Sequence, residues 1–171
     1  MPRERGFTVA ELLLSVTLLA LLLGMGVPSF ASLIRASRLA AASGGLLAAI
    51  HRTRSEAIER GVRATLCKSG DGTSCTVDGD WGQGWISFID DDANGLRGSD
   101  EALLLTGAPA SSVAITGNTP VARYVSYIPQ GWTRTVNGAL QMGTITVCVG
   151  GSARRIVIGS TGRPRVETGS C

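Results

Sequence analysis

The spacing of apolar residues changes twice along this 171-residue chain, and each change predicts a different element. From Leu12 to Ile34 no residue is charged, a run of 23 positions. That exceeds the ~20 residues an α-helix needs to cross the hydrocarbon core of a bilayer. From about residue 32 to about residue 66 the pattern turns periodic. Leu39, Leu46, Ile50 and Ala57 fall within about 40° of one another at 100° per residue, which makes one apolar stripe of an amphipathic helix. After Cys67 the chain breaks into short β-branched segments bounded by Gly, Pro, Asn or Asp: GWISFI (84–89), ALLLTG (102–107), VAITG (113–117), RYVSYI (123–128), TITVCV (144–149) and RRIVIG (154–159). The expectation is an α+β chain. A long amino-terminal helix, apolar in its first half and amphipathic in its second, packs on a mostly antiparallel β domain over about residues 67–171.

Arg3 and Arg5 precede the apolar run, so the positive-inside tendency keeps the amino terminus cytoplasmic and sends everything after about Ile34 across the membrane. A secretory signal peptide cut after Ala31 would be the simpler reading, since Ser29 and Ala31 are small. Against it, the run is long for a signal core, and Glu11 stands inside its start. A carboxylate there costs free energy unless it has a partner or a task.

Charge is segregated. Residues 31–68 hold seven Arg/Lys against Glu56 and Glu59, residues 71–101 hold eight Asp/Glu against Arg97, and residues 121–171 hold six Arg against Glu167. Such a layout suits an anionic partner at one surface. The helical arginines have a plainer use as a solvated face with i,i+4 pairs: Arg52–Glu56, Glu56–Arg60 and Glu59–Arg63. Gly44-Gly45 weakens the helix locally, and His51 is expected at its surface.

Four cysteines in a chain that leaves the cytoplasm favour disulfides over thiols. They allow three pairings. The preferred one joins Cys67 to Cys75, closing a short loop, and Cys148 to Cys171, pinning the carboxyl end. Zinc is the rival, but His51 is the single histidine, and Cys148 and Cys171 are too isolated for a knuckle.

The carboxyl end reads TGRPRVETGSC, with chemistry concentrated in Gly162-Arg163-Pro164-Arg165. Proline fixes its own φ and drives Arg163 to extended conformations. In an extended segment, residues two apart project to the same side, about 6–7 Å from each other. Two guanidiniums at that separation can each fork onto adjacent phosphates of one strand, which lysine does less well. Gly162 permits a tight approach or a positive φ. A Cys148–Cys171 bond would hold both arginines inside the loop it closes, so binding costs less entropy. Arg154 and Arg155 extend the patch, although one of an adjacent pair in a strand should face inward. Arg123 and Arg134 are weaker basic positions. No aromatic neighbours interrupt the tail, so base stacking and sequence readout are not expected, and any anion held there would be held through its phosphates; read on its own, an exposed Arg-Pro-Arg is also ordinary surface.

Gly6-Phe7 followed by Thr-Val-Ala-Glu11 resembles the class III signal of type IV pilins and type II secretion pseudopilins. The resemblance implies that residues 1–6 are a leader cut after Gly6 by a prepilin peptidase, with methylation of the new amino terminus at Phe7. It implies that residues 7–31 serve as membrane and filament-assembly helix, where Glu11 pairs with the terminal amine of a neighbouring subunit, two buried charges satisfying each other. Pro28 matches a helix-kinking proline common in such proteins. Over nearly the whole chain, RTRSEAIERG (52–61), TLC (65–67), the W-x3-W-I-x-F stretch from Trp81 to Phe88, IDDDANG (89–95) and IVIGSTGRPR (156–165) resemble the GspH/FimT family, and the last segment resembles the GRxR motif of its FimT branch. The resemblance therefore implies the type IV pilin fold. It also implies a subunit that starts in the bacterial inner membrane with residues 32–171 periplasmic, joins other pilins in an extracellular pilus, and binds double-stranded DNA during natural transformation. The alternative is a structural minor pilin or secretion pseudopilin that primes or caps a filament through protein contacts only.

DDDANGLRGSDE (90–101) fits a calcium-loop pattern through Asp90, Asp92, Asn94, Gly95 and Glu101. Its flanks read as strands, where the same residues make an ordinary hairpin turn, so no metal or other cofactor is expected. Nothing resembles a nucleophile elbow, a P-loop or a metal-hydrolase cluster, and one histidine far from the acidic loop is poor material for a triad, so the chain is not expected to be an enzyme.

Overall fold

The computed structural model describes residue 6, residues 8–110 and residues 112–171, with the side chains of residues 23–29 also outside the described set. Phe7 and the side chain of Pro28 therefore lie outside the described residues. The chain divides into two units, Met1–Ser37 and Arg38–Cys171.

One helix, α1, runs Val9–Arg60. It opens with a capping box: the Thr8 amide donates to Glu11 Oε2 at 2.9 Å, and the Glu11 amide donates to Thr8 Oγ1 at 3.3 Å. In the first unit the described apolar side chains meet no core, and Leu12, Leu19 and Leu22 are 61%, 59% and 69% exposed. Phe30–Arg60 also has span-like hydropathy. Its apolar stripe from Leu39 onward is taken up in a protein core, while the apolar side chains described upstream are largely exposed.

In the second unit the expected stripe is the buried one, with Leu39, Leu46, Ile50 and Ala57 all inside. Glu56 is buried between two arginines, Oε1 2.6 Å from Arg52 Nη2 and Oε2 2.6 Å from Arg60 Nε. The Arg60 hydrogen bond, with the nearby charges, holds its carboxyl below the ordinary range against the opposing pull of burial. The helix stops at Arg60, short of the expected residue 66, because Gly61 turns the backbone to φ +67°. The Glu59–Arg63 pair is absent among the described residues for the same reason. Arg63 lies beyond the last turn and donates to Ser126 Oγ at 3.0 Å.

Eight strands follow. The sequence pattern anticipates six: β2 (Trp85–Ile89), β3 (Leu103–Gly107), β4 (Ala114–Gly117), β5 (Tyr124–Tyr127), β6 (Gly143–Val149) and β7 (Ser152–Ile158). Two more depart from it: β1 (Ala64–Lys68), which the pattern places at the end of the helix, and β8 (Pro164–Ser170), which it places in a loop. They form two antiparallel four-stranded sheets, ordered β3-β2-β1-β5 and β4-β6-β7-β8. The core joins the helical stripe to both sheets through Leu66, Trp81, Val125, Tyr127, Ile145, Ile156 and Ile158. Trp81 is fully buried and donates its indole N–H to Val121 O at 3.1 Å. Trp85 packs on Gly107, where any β-carbon would collide with the ring. The W-x3-W stretch is thus core architecture.

Both preferred cysteine pairings are present, with Cα–Cα separations of 5.7 Å for Cys67–Cys75 and 5.8 Å for Cys148–Cys171.

Candidate nucleic-acid interface

The strands β7 and β8 form a hairpin whose register sets every candidate side chain. Val157 faces Arg165, Arg155 faces Glu167 and Arg154 faces Thr168. Directly paired residues share a face of the sheet, so Arg155, Val157, Arg165 and Glu167 lie on one side. Arg154 lies on the other, with Ile156 and Ile158, and its guanidinium reaches Ser43 Oγ of α1 at 3.3 Å. Strand alternation thus turns Arg154 toward the helix, onto the face opposite Arg155 and Arg165.

Arg165 is exposed and pairs with Glu167, Nε to Oε1, at 2.9 Å. Arg155 is half-buried. Its guanidinium lies over Gly169 and donates to Ser170 O at 3.2 Å. Arg163, just before β8, is exposed and makes no ion pair among the described residues. The carboxyl end is fixed by β8 pairing, by the Cys171 amide donating to Gly151 O at 3.1 Å, and by the bridge to Cys148 of β6. What the sequence presents as a stiff loop is an edge strand from Pro164 onward.

The turn that aims Arg163 is clamped from below. The Gly162 amide donates to Gly159 O at 2.9 Å, and Gly162 sits at φ +74°. The buried Tyr127 hydroxyl donates to Gly162 O at 3.2 Å, and the Thr133 hydroxyl lies 3.1 Å from Gly159 O. Burial pushes the Tyr127 phenol well above its ordinary range, with Arg54 pulling weakly the other way. A neutral phenol is what a carbonyl acceptor requires. Gly162 also touches the backbone of Gly131, whose carbonyl accepts from Arg54 Nε at 2.9 Å.

That contact brings in residues that sequence reasoning missed. Trp132 follows Gly131, is 48% exposed, and carries the Arg134 guanidinium 5.5 Å from its ring centroid. An aromatic group thus stands beside the GRPR turn, contrary to expectation. Trp132 and Arg163 are far apart in sequence, and the Gly131–Gly162 contact joins them. Arg123 lies at the far end of β5 from Tyr127, away from this turn.

The acidic loop between β2 and β3 gathers carboxylate oxygens of Asp90, Asp92 and Glu101 within 4.8 Å of one another. They are engaged locally. Thr65 Oγ1 donates to Asp90 at 2.6 Å, and the Asp91 and Gly98 amides donate to Glu101 at 2.9 and 2.8 Å. These are the local bonds of a hairpin turn. At the other end of the chain, Gly6 is exposed and Glu11 caps its own helix. The T-x-x-E spacing at 8–11 is the sequence signal for that cap.

Comparison with known proteins gives two family matches: type II transport protein GspH over residues 42–162, and the prokaryotic N-terminal methylation motif over residues 1–27. Two crystal structures of the Pseudomonas aeruginosa (strain PAO1) type IV minor pilin FimU are similar in fold. One has 21% identity and a TM-score of 0.56, covering 75% of this chain and 92% of that one. The other has 22% identity and a TM-score of 0.57, covering 77% and 89%. No curated protein matches.

Proposed function

Since the chain belongs to the GspH family of minor pilins and pseudopilins, we propose that it is a FimT-like minor type IV pilin that holds extracellular double-stranded DNA for uptake in natural transformation. A prepilin peptidase cuts after Gly6 and Phe7 is methylated. The segment 7–31 anchors the protein as a single pass in the inner membrane, with residues 32–171 periplasmic, and then joins other pilins in the filament. On assembly, Glu11 exchanges its Thr8 cap for the terminal amine of a neighbour. The role is one of binding and assembly, with no catalytic step.

The observation that carries the reading is the placement of Arg163 and Arg165 at the start of a disulfide-pinned edge strand, both exposed, with Arg155 on the face that Arg165 occupies. Their guanidiniums would neutralise phosphates without reading sequence. In a mobility shift with the full chain in neutral detergent, Arg163→Ala/Arg165→Ala should bind duplex DNA much more weakly. The log–log salt slope should shrink by about 2, since each phosphate no longer neutralised removes ~0.9. Unchanged binding would leave a structural pilin or pseudopilin working through protein contacts. Sequencing the mature terminus separates methylated Phe7 from Ser32, the residue a signal-peptide cut after Ala31 would expose.

A further inference from the structure

We propose that Trp132, backed by Arg134, is a stacking platform for an unpaired DNA base, so that the interface takes single strands and single-stranded overhangs as well as the phosphate backbone. The inference rests on the reading of the GRPR turn as a DNA contact.

Three observations carry it. Trp81 and Trp85 are 0% and 6% exposed and belong to the core, whereas Trp132 is 48% exposed although its neighbours Gly131 and Thr133 are buried. Among the described residues of the unit Arg38–Cys171, no other Trp, Tyr or Phe is exposed. Its backbone is held firmly: the Ile128 amide donates to Trp132 O at 3.0 Å, the Gly131 amide to Ile128 O at 2.8 Å, and Arg54 to Gly131 O at 2.9 Å. A large apolar ring on a rigid turn gives up little entropy when a flat ligand settles on it.

Arg134 lies over one face of the indole, 5.5 Å from the centroid. A guanidinium stacked on a ring polarises it and is itself a phosphate partner. Base stacking on an aromatic beside basic groups is the arrangement that binds single strands, and it tolerates any sequence because every base has a π-face.

The third observation is position. The Gly131 carbonyl packs against Gly162, so Trp132 and Arg163 each adjoin the same contact. On this proposal, a strand whose phosphates lie on Arg163 and Arg165 sets an unpaired base on Trp132. In a closed duplex that base is already stacked and paired. The platform therefore favours DNA with exposed bases.

The test is tryptophan emission of the full chain in neutral detergent micelles, since Trp81 and Trp85 are buried and Trp132 can meet a ligand directly. The probes are a short thymidine strand, a blunt duplex of equal length, the same duplex with a single-stranded overhang, and inorganic polyphosphate. The single strand and the overhang should quench emission, while the blunt duplex and polyphosphate should not. Trp132→Ala should weaken single-strand binding about tenfold, the worth of one stacked base, at an unchanged salt slope. Trp132→Phe, which keeps a ring, should recover most of it. Arg163→Ala/Arg165→Ala should instead lower the salt slope for every probe. If DNA binds while emission stays constant and Trp132→Ala binds like wild type, the platform is wrong and the DNA reading stands, leaving Trp132 to a protein neighbour. If no DNA probe binds the wild-type chain, the DNA reading fails and the platform with it.

Discussion

Gly162 meets Gly131 backbone to backbone, so closely that a β-carbon on Gly162 would collide with the Gly131 carbonyl oxygen. Gly162 also holds φ +74°, a region that favours glycine. Gly162→Ala combines strain with a clash against backbone that cannot move aside, and should destabilise by about 2 kcal/mol or more. Gly159, at the other side of the same turn, has nothing within 4 Å of its β-carbon position and no positive φ. Gly159→Ala should therefore stay within about 0.5 kcal/mol of wild type. Thermal unfolding of the two variants checks the pair. Equal melting would mean that the glycine of the GRPR turn is not fixed by its contact with Gly131.

Tyr127 ties the same turn to the domain interior, and its phenol pKa is raised by burial. The sign follows from linkage: a folded-state pKa above the unfolded one leaves stability intact below the unfolded value, near 10 for tyrosine, and erodes it as pH rises beyond. Alkaline unfolding should thus begin above about pH 10. Tyr127→Phe should remove that contribution while leaving the Gly162 carbonyl short of its donor, costing about 1 kcal/mol at neutral pH. Denaturant midpoints across the alkaline range read both effects.

The bridge from Cys148 to Cys171 closes the chain across 23 positions and lies on the face that carries Arg155 and Arg165. By loop entropy such a cross-link is worth about 3 kcal/mol. Cys171→Ser should fray β8, seen as faster amide exchange through residues 165–170, and should weaken DNA binding less than removal of the two arginines. Four free thiols by intact mass of the exported protein would remove the tether.

The stripe Leu39, Leu46, Ile50 and Ala57 was legible because a helix has one period and this helix has one buried face. Six strands were legible because β-branched runs sit between turn residues. β1 was not: ATLCK follows closely on a helical pattern, and the positive φ of Gly61 separates the two. β8 was missed for the opposite reason. PRVETGS is an edge strand with both faces largely exposed, so it has no apolar alternation to betray it. The arginines of the tail could be named from residue chemistry and from the family's motif. The division of Arg154 from Arg155 was foreseeable only as a rule of alternation, and the register with β8 decides which one turns inward. Trp132 was out of reach, because its place beside Arg163 depends on a tertiary contact between two glycines.

Glu167 gives the sharpest test of the arginine patch. It is paired with Arg165 at 2.9 Å and stands opposite Arg155 in the register, so one carboxylate adjoins both cations on that face. The Arg165–Glu167 pair is well exposed, with side chains 67% and 46% accessible, and is worth little to the fold, about 0.2–1 kcal/mol. For a phosphate approaching Arg165 the same carboxylate is a competitor for the guanidinium and a like charge nearby. Glu167→Gln should therefore leave the melting temperature nearly unchanged while tightening duplex binding about two- to fivefold, the equivalent of releasing that pair. The gain should shrink at high salt, where exposed charges are screened. In the Arg165→Ala background, most of the gain should vanish, because the competitor then has nothing to release. A gain of equal size with and without Arg165 would point to general charge reduction and away from a phosphate contact at that residue.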